Sequence, residues 1–198
     1  MAIFKPEVKE NSGGSKFLGI CELQLENIED KSEHYDWADI YLDVTVKQRG
    51  SEYTRNMRLV GSLEKDATGN ITGGSVLNRL YKFFDIIGCK AGLTIKGEWE
   101  TEEGHMIENI GKYLTEEFIN PLRDFDYLGY IYKEQPKKSG DKAWTKVYPK
   151  LAPNTEDGRK KLEDDIKWLK SKGYLKEFNG EQTPNSEDNS NTSVMSSL

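Results

Sequence analysis

Tyr127 to Tyr148 reads YLGYIYKEQPKKSGDKAWTKVY, and its two ends alternate like strands while its middle is a lysine-rich turn. In the first strand Leu128, Tyr130 and Tyr132 share one parity, and Gly129, Ile131 and Lys133 share the other. In the second, Trp144, Lys146 and Tyr148 oppose Ala143, Thr145 and Val147. Successive strand side chains point to opposite faces, so one face of this hairpin collects four aromatic rings and a lysine, and the other small or aliphatic groups. Two readings stay open. Flat rings interleaved with ammonium groups suit a polymer with stackable bases and a charged backbone. The same rings suit a core, which aromatics commonly fill.

Upstream of the hairpin, strands dominate. Phe17 to Leu25 alternates toward its end. From Trp37 to Lys47, Ile40, Leu42, Val44 and Val46 point one way and Asp39, Tyr41, Asp43, Thr45 and Lys47 the other, the signature of a half-buried antiparallel strand. Gln48 to Ser51 reads as a turn and Tyr53 to Leu63 as the returning partner. Lys47, Arg49, Tyr53, Arg55 and Arg58 gather around the tip and return strand of this second hairpin. Leu93 to Trp99 reads as a further short strand. Ile107 to Leu122 is compatible with strand or helix, and Pro121 ends it.

Two helices stand out. Ser75 is suited to cap the first and Gly88 to stop it, with Leu77, Leu80, Phe84 and Ile87 as its apolar stripe. Gly73-Gly74-Ser75 carries a phosphate-cradle reading beside the plainer one of a turn. The second helix spans Thr155 to Lys172. Glu156 and Asp157 in its first turn and Lys170 and Lys172 near its end match the helix dipole. Leu162, Ile166 and Leu169 form its stripe, Arg159, Lys160 and Lys161 its solvated face, and Tyr174, Leu175 and Phe178 are expected to pack back onto the body.

A chain of 198 residues can bury one sizeable core, and 35% apolar with 31% charged residues predicts a modest core with solvated loops. Residues 1–16 read as a flexible arm, 17–178 as the folded domain, and 179–198, rich in Asn, Ser and Thr, as a disordered polar tail. A formal net charge of −6 excludes a surface coated in positive charge, so nucleic-acid binding would need a local basic stripe. Cys21 and Cys89 lack metal or redox spacing. With no signal peptide and no long apolar run, the expectation is a reducing cytoplasm and no membrane.

Enzyme chemistry is thin. His34 and His105 are the only histidines, and neither has a partner at ligand spacing. There is no GxxxxGK[ST] and no GxGxxG after a strand. Asp36, Asp39, Asp43 and the Glu98 to Glu103 cluster are the remaining candidates for magnesium, against the plainer reading of solvated carboxylates. The expectation is a protein that is not an enzyme and needs no cofactor or metal.

The order of three strands, helix, strand, hairpin and terminal helix predicts a mainly β chain with helices (α+β). It would be an OB-like antiparallel Greek-key barrel with an inserted helix and a C-terminal helix. On that strand pattern, the helix between barrel strands, the Tyr/Trp/Lys hairpin and the polar C-terminus, the chain resembles phage-type single-stranded DNA-binding proteins. The resemblance spans Phe17 to Tyr148 and rests on pattern rather than on one specific motif. It implies sequence-tolerant binding of single-stranded DNA in replication, recombination or repair, in a host cytoplasm; RNA is not separated from DNA, and oligomeric state stays open. The rings expected to stack are Tyr41, Tyr53, Tyr130, Tyr132, Trp144 and Tyr148. The expected cations are Lys47, Arg49, Arg55, Arg58, Lys133, Lys137, Lys138, Lys142 and Lys146. Many such proteins recruit replication proteins through a strongly acidic tail. Here the tail holds only Glu181, Glu187 and Asp188 and closes with Val194-Met195-Ser196-Ser197-Leu198, so a short hydrophobic terminal motif would have to substitute.

Two other classes fit parts of the pattern. The negative net charge, with Asp39, Asp43 and the Glu98 to Glu103 run, suits an acidic protein-interaction module such as a phage inhibitor of a host factor. Rings on a strand face also stack on sugars, as a carbohydrate-binding domain requires.

Overall fold

The computed structural model of the chain describes residues 18–138 and 141–178. In chain order the first elements are β1 (Gly19–Asp30), β2 (Ile40–Gln48), β3 (Thr54–Gly61), a small hairpin of β4 (Leu63–Lys65) and β5 (Ile71–Gly74), and α1 (Leu77–Ile87). Then come β6 (Gly92–Leu93), β7 (Trp99–Glu100), β8 (Met106–Ile107), α2 (Ile110–Leu114), β9 (Tyr127–Lys133), β10 (Thr145–Val147), β11 (Ala152–Pro153) and α3 (Glu156–Ser171).

β1 organises the barrel. Its first residues pair antiparallel with β9, Gly19 opposite Ile131, and from Leu23 onward it pairs with β2. The register slips between Leu25 and Asn27, and such a bulge bends a strand so that it can serve two neighbours. The main sheet runs β10-β9-β1-β2-β3, and its outermost strands β3 and β10 come together. Every pairing along that path is antiparallel, so β3 and β10 run parallel where they meet. The result is a nearly closed antiparallel β-barrel of five strands with added helices, the OB-like architecture expected from the element order.

Inside the barrel lie Leu23, Leu25, Leu42, Val44, Val46, Met57, Leu59 and Ile131, all buried, with Leu80, Phe83, Phe84 and Ile87 of α1 closing the same core. Close pairing of β9 with β1 depends on Gly129, where a Cβ would overlap the Leu23 side chain and press on Leu151. A second, smaller core lies outside the barrel, between β9 and α3, and contains Leu128, Tyr130, Ala152, Leu162, Ile166 and Leu175.

Several local expectations change. Ser75 does not cap α1: Val76 occupies that place, its apolar side chain, which has no atom to accept a backbone N–H, buried in the core. Gly88 does end the helix, in the left-handed conformation that glycine adopts without penalty. Leu93 to Trp99 is not one strand. Thr94 to Gly97 turns back on itself, and β6, β7 and β8 make a separate three-stranded sheet. The ambiguous segment is helical: α2, capped by Asn109 accepting from the Lys112 N–H at 2.8 Å, passes into a π turn over Thr115–Ile119 and a 3₁₀ turn over Asn120–Leu122. Thr155 caps α3 by accepting from the Gly158 N–H at 3.1 Å. Beyond it Leu175 is buried and Phe178 half-buried, whereas Tyr174 is 73% exposed and leans on Trp168. The arm over residues 1–16 and the tail over 179–198 lie outside the described residues.

Candidate nucleic-acid interface

The hairpin's parity is as the sequence indicates, but its aromatic face is partly covered. Lys146 pairs with Tyr132 and Val147 with Ile131, and the Tyr148 N–H donates to the Tyr130 carbonyl at 2.8 Å. Leu128, Tyr130, Tyr132, Lys146 and Tyr148 therefore share the outer face. α3 lies across its upper part. Tyr130 is buried, with its hydroxyl donating to Glu177 and the Lys170 ammonium 5.2 Å from its ring centroid. Lys170 also bridges Glu177 at 2.7 Å. Burial pushes the phenols of Tyr130 and Tyr132 up, and burial together with the Asp165 carboxylate pushes Tyr148 up to about 12. Tyr130 thus packs under a helix and offers no free ring. Tyr132 and Tyr148 are half-buried at the border.

Beyond that border the surface changes character. Between β3 and β10 runs a groove of 660 Å³. One wall is Thr54, Arg55, Asn56, Arg58 and Val60; Arg79 reaches in from α1, and Tyr132, Trp144 and Lys146 form the other side. Its lining contains four cationic side chains (Arg55, Arg58, Arg79 and Lys146) and no carboxylate. Trp144 is 67% exposed, with the Lys142 ammonium 5.7 Å from its ring. Arg79 is aimed by a hydrogen bond to the Val60 carbonyl at 2.9 Å, and Arg55 has no ion-pair partner among the described residues. Lys146 contacts Glu134 at 2.5 Å and Arg58 approaches Asp43 at 3.9 Å. The Lys146–Glu134 pair faces solvent, and such pairs are worth at most about 1 kcal/mol; the carboxylate that Arg58 approaches is itself buried.

The remaining expected cations divide. Lys47 bridges Glu52 at 3.3 Å, and Arg49 bridges Asp126 at 2.5 Å and Glu22 at 3.4 Å, on the β1–β9 side away from the groove. Lys133 is half-buried on β9, while Lys137, Lys138 and Lys142 are exposed on the loop that leads to Trp144. Tyr53 is 73% exposed at the tip of the β2–β3 hairpin.

Tyr41 is also corrected: it is buried, because the β1–β2 loop folds over it. Tyr35 stacks on it with centroids 4.5 Å apart and planes 20° off parallel, and Trp37 meets its edge at 6.1 Å. The free face of this cluster belongs to Trp37, 62% exposed, and Tyr35, neither of which sequence reasoning singled out. A signal existed: Tyr35, Trp37, Asp39 and Tyr41 share one parity. Arg79 was missed as well, and only its packing against β3 identifies it. Arg58 stands between the two features, opposite Asp43 and one outward position from Val60, the partner of Tyr41.

Two of the candidate magnesium carboxylates, Asp39 and Asp43, have other partners. Asp39 accepts from Lys65 at 2.7 Å and from the Leu63 N–H at 2.8 Å, which hold it below the usual carboxylate range. Asp43 is buried against Lys31 at 2.9 Å. Among the described residues no three His, Cys, Asp or Glu side chains converge as a metal site requires, and no helix is long and apolar enough to cross a membrane. Both cysteines are free thiols, and burial pushes Cys21 up to about 11. No family model, no curated protein and no solved structure matches the chain.

Proposed function

We propose that the protein binds single-stranded DNA along the groove between β3 and β10, without reading base sequence, in replication, recombination or repair. The single observation that carries this is the lining of the groove: four cations and no carboxylate, on a chain of net charge −6. A random acidic surface does not sort its charges that way, and a polyanion is the ligand such sorting suits.

The mechanism divides between two kinds of contact. Arg55, Arg58, Arg79 and Lys146 neutralise successive phosphates and release condensed counterions. Four such contacts give a slope of log affinity against log salt of about −3 for a single strand. Trp144 at one end and the Trp37–Tyr35 cluster at the other offer rings to the bases, each stacked base contributing about 1–3 kcal/mol. Stacking uses the π-face that every base has, hence the tolerance of sequence. No step involves covalent chemistry.

Titration of the intrinsic tryptophan fluorescence with oligo-dT at two salt concentrations tests the reading. Quenching at low salt that is reversed at high salt is expected. Absence of binding at low salt overturns it, and binding that persists at molar salt while following glycan identity assigns the rings to a sugar instead.

A further inference from the structure

We infer that the bound strand continues past the groove, over Pro149, into the cleft between α1 and α3, and that this cleft takes up one unstacked base. The inference rests on the nucleic-acid reading above and extends it to a second site.

The cleft encloses 400 Å³, within the range of small-ligand pockets. Its sides are Phe83 and Ile86 of α1 and Leu162 of α3, and its floor is Leu151 with the ring of Tyr148. That is a largely apolar slot of the kind a flat heterocycle fills. A few polar groups meet there: the Tyr148 phenol faces Asp165, and Asp165 is bridged by Lys150 at 2.9 Å. An apolar pocket with a small convergent polar set is the usual form of a site for a ring with hydrogen-bonding edges.

Two further observations choose the occupant. The first is continuity. Arg79 and Pro149 line both the groove and the cleft, so the cavities are neighbours across one residue of β10's exit and share a cation. The second is charge. Lys82 on α1 and Lys161 on α3, both exposed, flank the mouth of the cleft with Arg79. Asp85 is the acid not already bridged on that rim, and Lys161's bridge to Asp157 at 2.6 Å is fully solvent-facing and easily exchanged. An apolar peptide would need the slot but not the cations. A strand whose phosphates cross the mouth while one base turns inward uses both. Taking a base out of a single strand needs no unpairing, so the unstacking is small.

The test measures affinity against oligo-dT length, from about 4 to about 16 nucleotides, the span of single OB folds, for the full chain and for a Lys82→Glu, Lys161→Glu variant. Both positions are exposed and outside the groove. The wild type is expected to gain affinity beyond the length that fills the groove. The variant is expected to bind the shortest oligonucleotides unchanged and the longest at least roughly fivefold more weakly, the loss of about one stacked base. Lys82→Gln with Lys161→Gln serves if the reversed charges impair folding. Photo-crosslinking of oligonucleotides carrying 5-iodouracil at one end is expected to label the Tyr148–Leu162 segment. Equal length dependence in wild type and variant, or crosslinks confined to β3 and β10, overturns the cleft site while leaving the groove. A wild type that binds no oligonucleotide overturns the groove reading, and the cleft site with it.

Discussion

The outer surface of the barrel has a covered half and an open half. Across the β1–β9 seam, α3 lies on Ile20, Leu128 and Tyr130 and turns them into a second core. Across β3 and β10, among the described residues, no element covers Asn56, Arg58 or Trp144, Arg55 is half-buried at the edge, and the strands present charge and an indole to water. Both halves draw on the same hairpin, with the same alternation of Tyr, Trp and Lys. The difference lies in the connection after β10. Pro149 to Thr155 carries the chain back along β9, where Ala152 pairs with Leu128, and so delivers α3 onto one half only. Alternation groups side chains on a face; it does not say what lies on that face.

Substitutions can break this contrast, beginning with the covered half. Tyr130→Ala and Leu162→Ala should each lower unfolding free energy in urea by about 3–5 and 2–5 kcal/mol respectively, the range for buried large-to-alanine changes. If Tyr130→Ala instead weakened oligo-dT binding at unchanged stability, the two halves would have been assigned the wrong way round. Trp144→Ala should do the reverse. Stability should stay within about 0.5 kcal/mol of the wild type, while affinity for oligo-dT, read by anisotropy, falls by about 1–3 kcal/mol.

Arg55→Gln sharpens the same contrast at smaller amplitude. It removes a cation that has no carboxylate partner, so the salt slope should become shallower by about 0.7 with little change in midpoint temperature. Arg49→Gln, on the other side of the barrel, should leave the slope unchanged. The smallest effect concerns the support of the β1–β2 loop. Lys65 and the Leu63 N–H favour the ionised form of Asp39, so the stabilisation is present above the ordinary carboxylate pKa and lost as pH falls through the depressed one. The stability of wild type and Asp39→Asn, followed by chemical denaturation across pH, should differ by less than about 1 kcal/mol above about pH 4 and converge in acid.

Much of the scaffold was legible. The helical stripes of α1 and α3 survive in the structure because each buries one face, and burial of one face is what writes a period into a sequence. β2 and β9 are covered on both faces over most of their length, and the period stays visible in β2 because its barrel face is all aliphatic while its outer face keeps Asp43, Thr45 and Lys47. Legibility fails where neither cause operates. β6 and β7 are two residues each, too short to show a period, and α2 passes into π and 3₁₀ turns that keep no single repeat. The candidate site was half visible. Arg55 and Arg58 stood out by type, and Trp144 and Lys146 by type and parity. Tyr35 and Trp37 lie in a loop, and Arg79 joins the groove only because α1 abuts β3.

From composition and alternation alone followed an antiparallel barrel with two amphipathic helices, a reducing-type cysteine content, and the sorting of four rings and a lysine onto one face of the last hairpin. These are local properties, each written in neighbouring residues by the requirement that apolar groups leave water. Only the tertiary structure decided that α3 covers Tyr130, that the β1–β2 loop covers Tyr41, and that β3 and β10 bring Arg55, Arg58, Arg79, Trp144 and Lys146 around one groove. Those outcomes depend on which distant surfaces meet, and a contact between residues dozens of positions apart leaves no period in the chain.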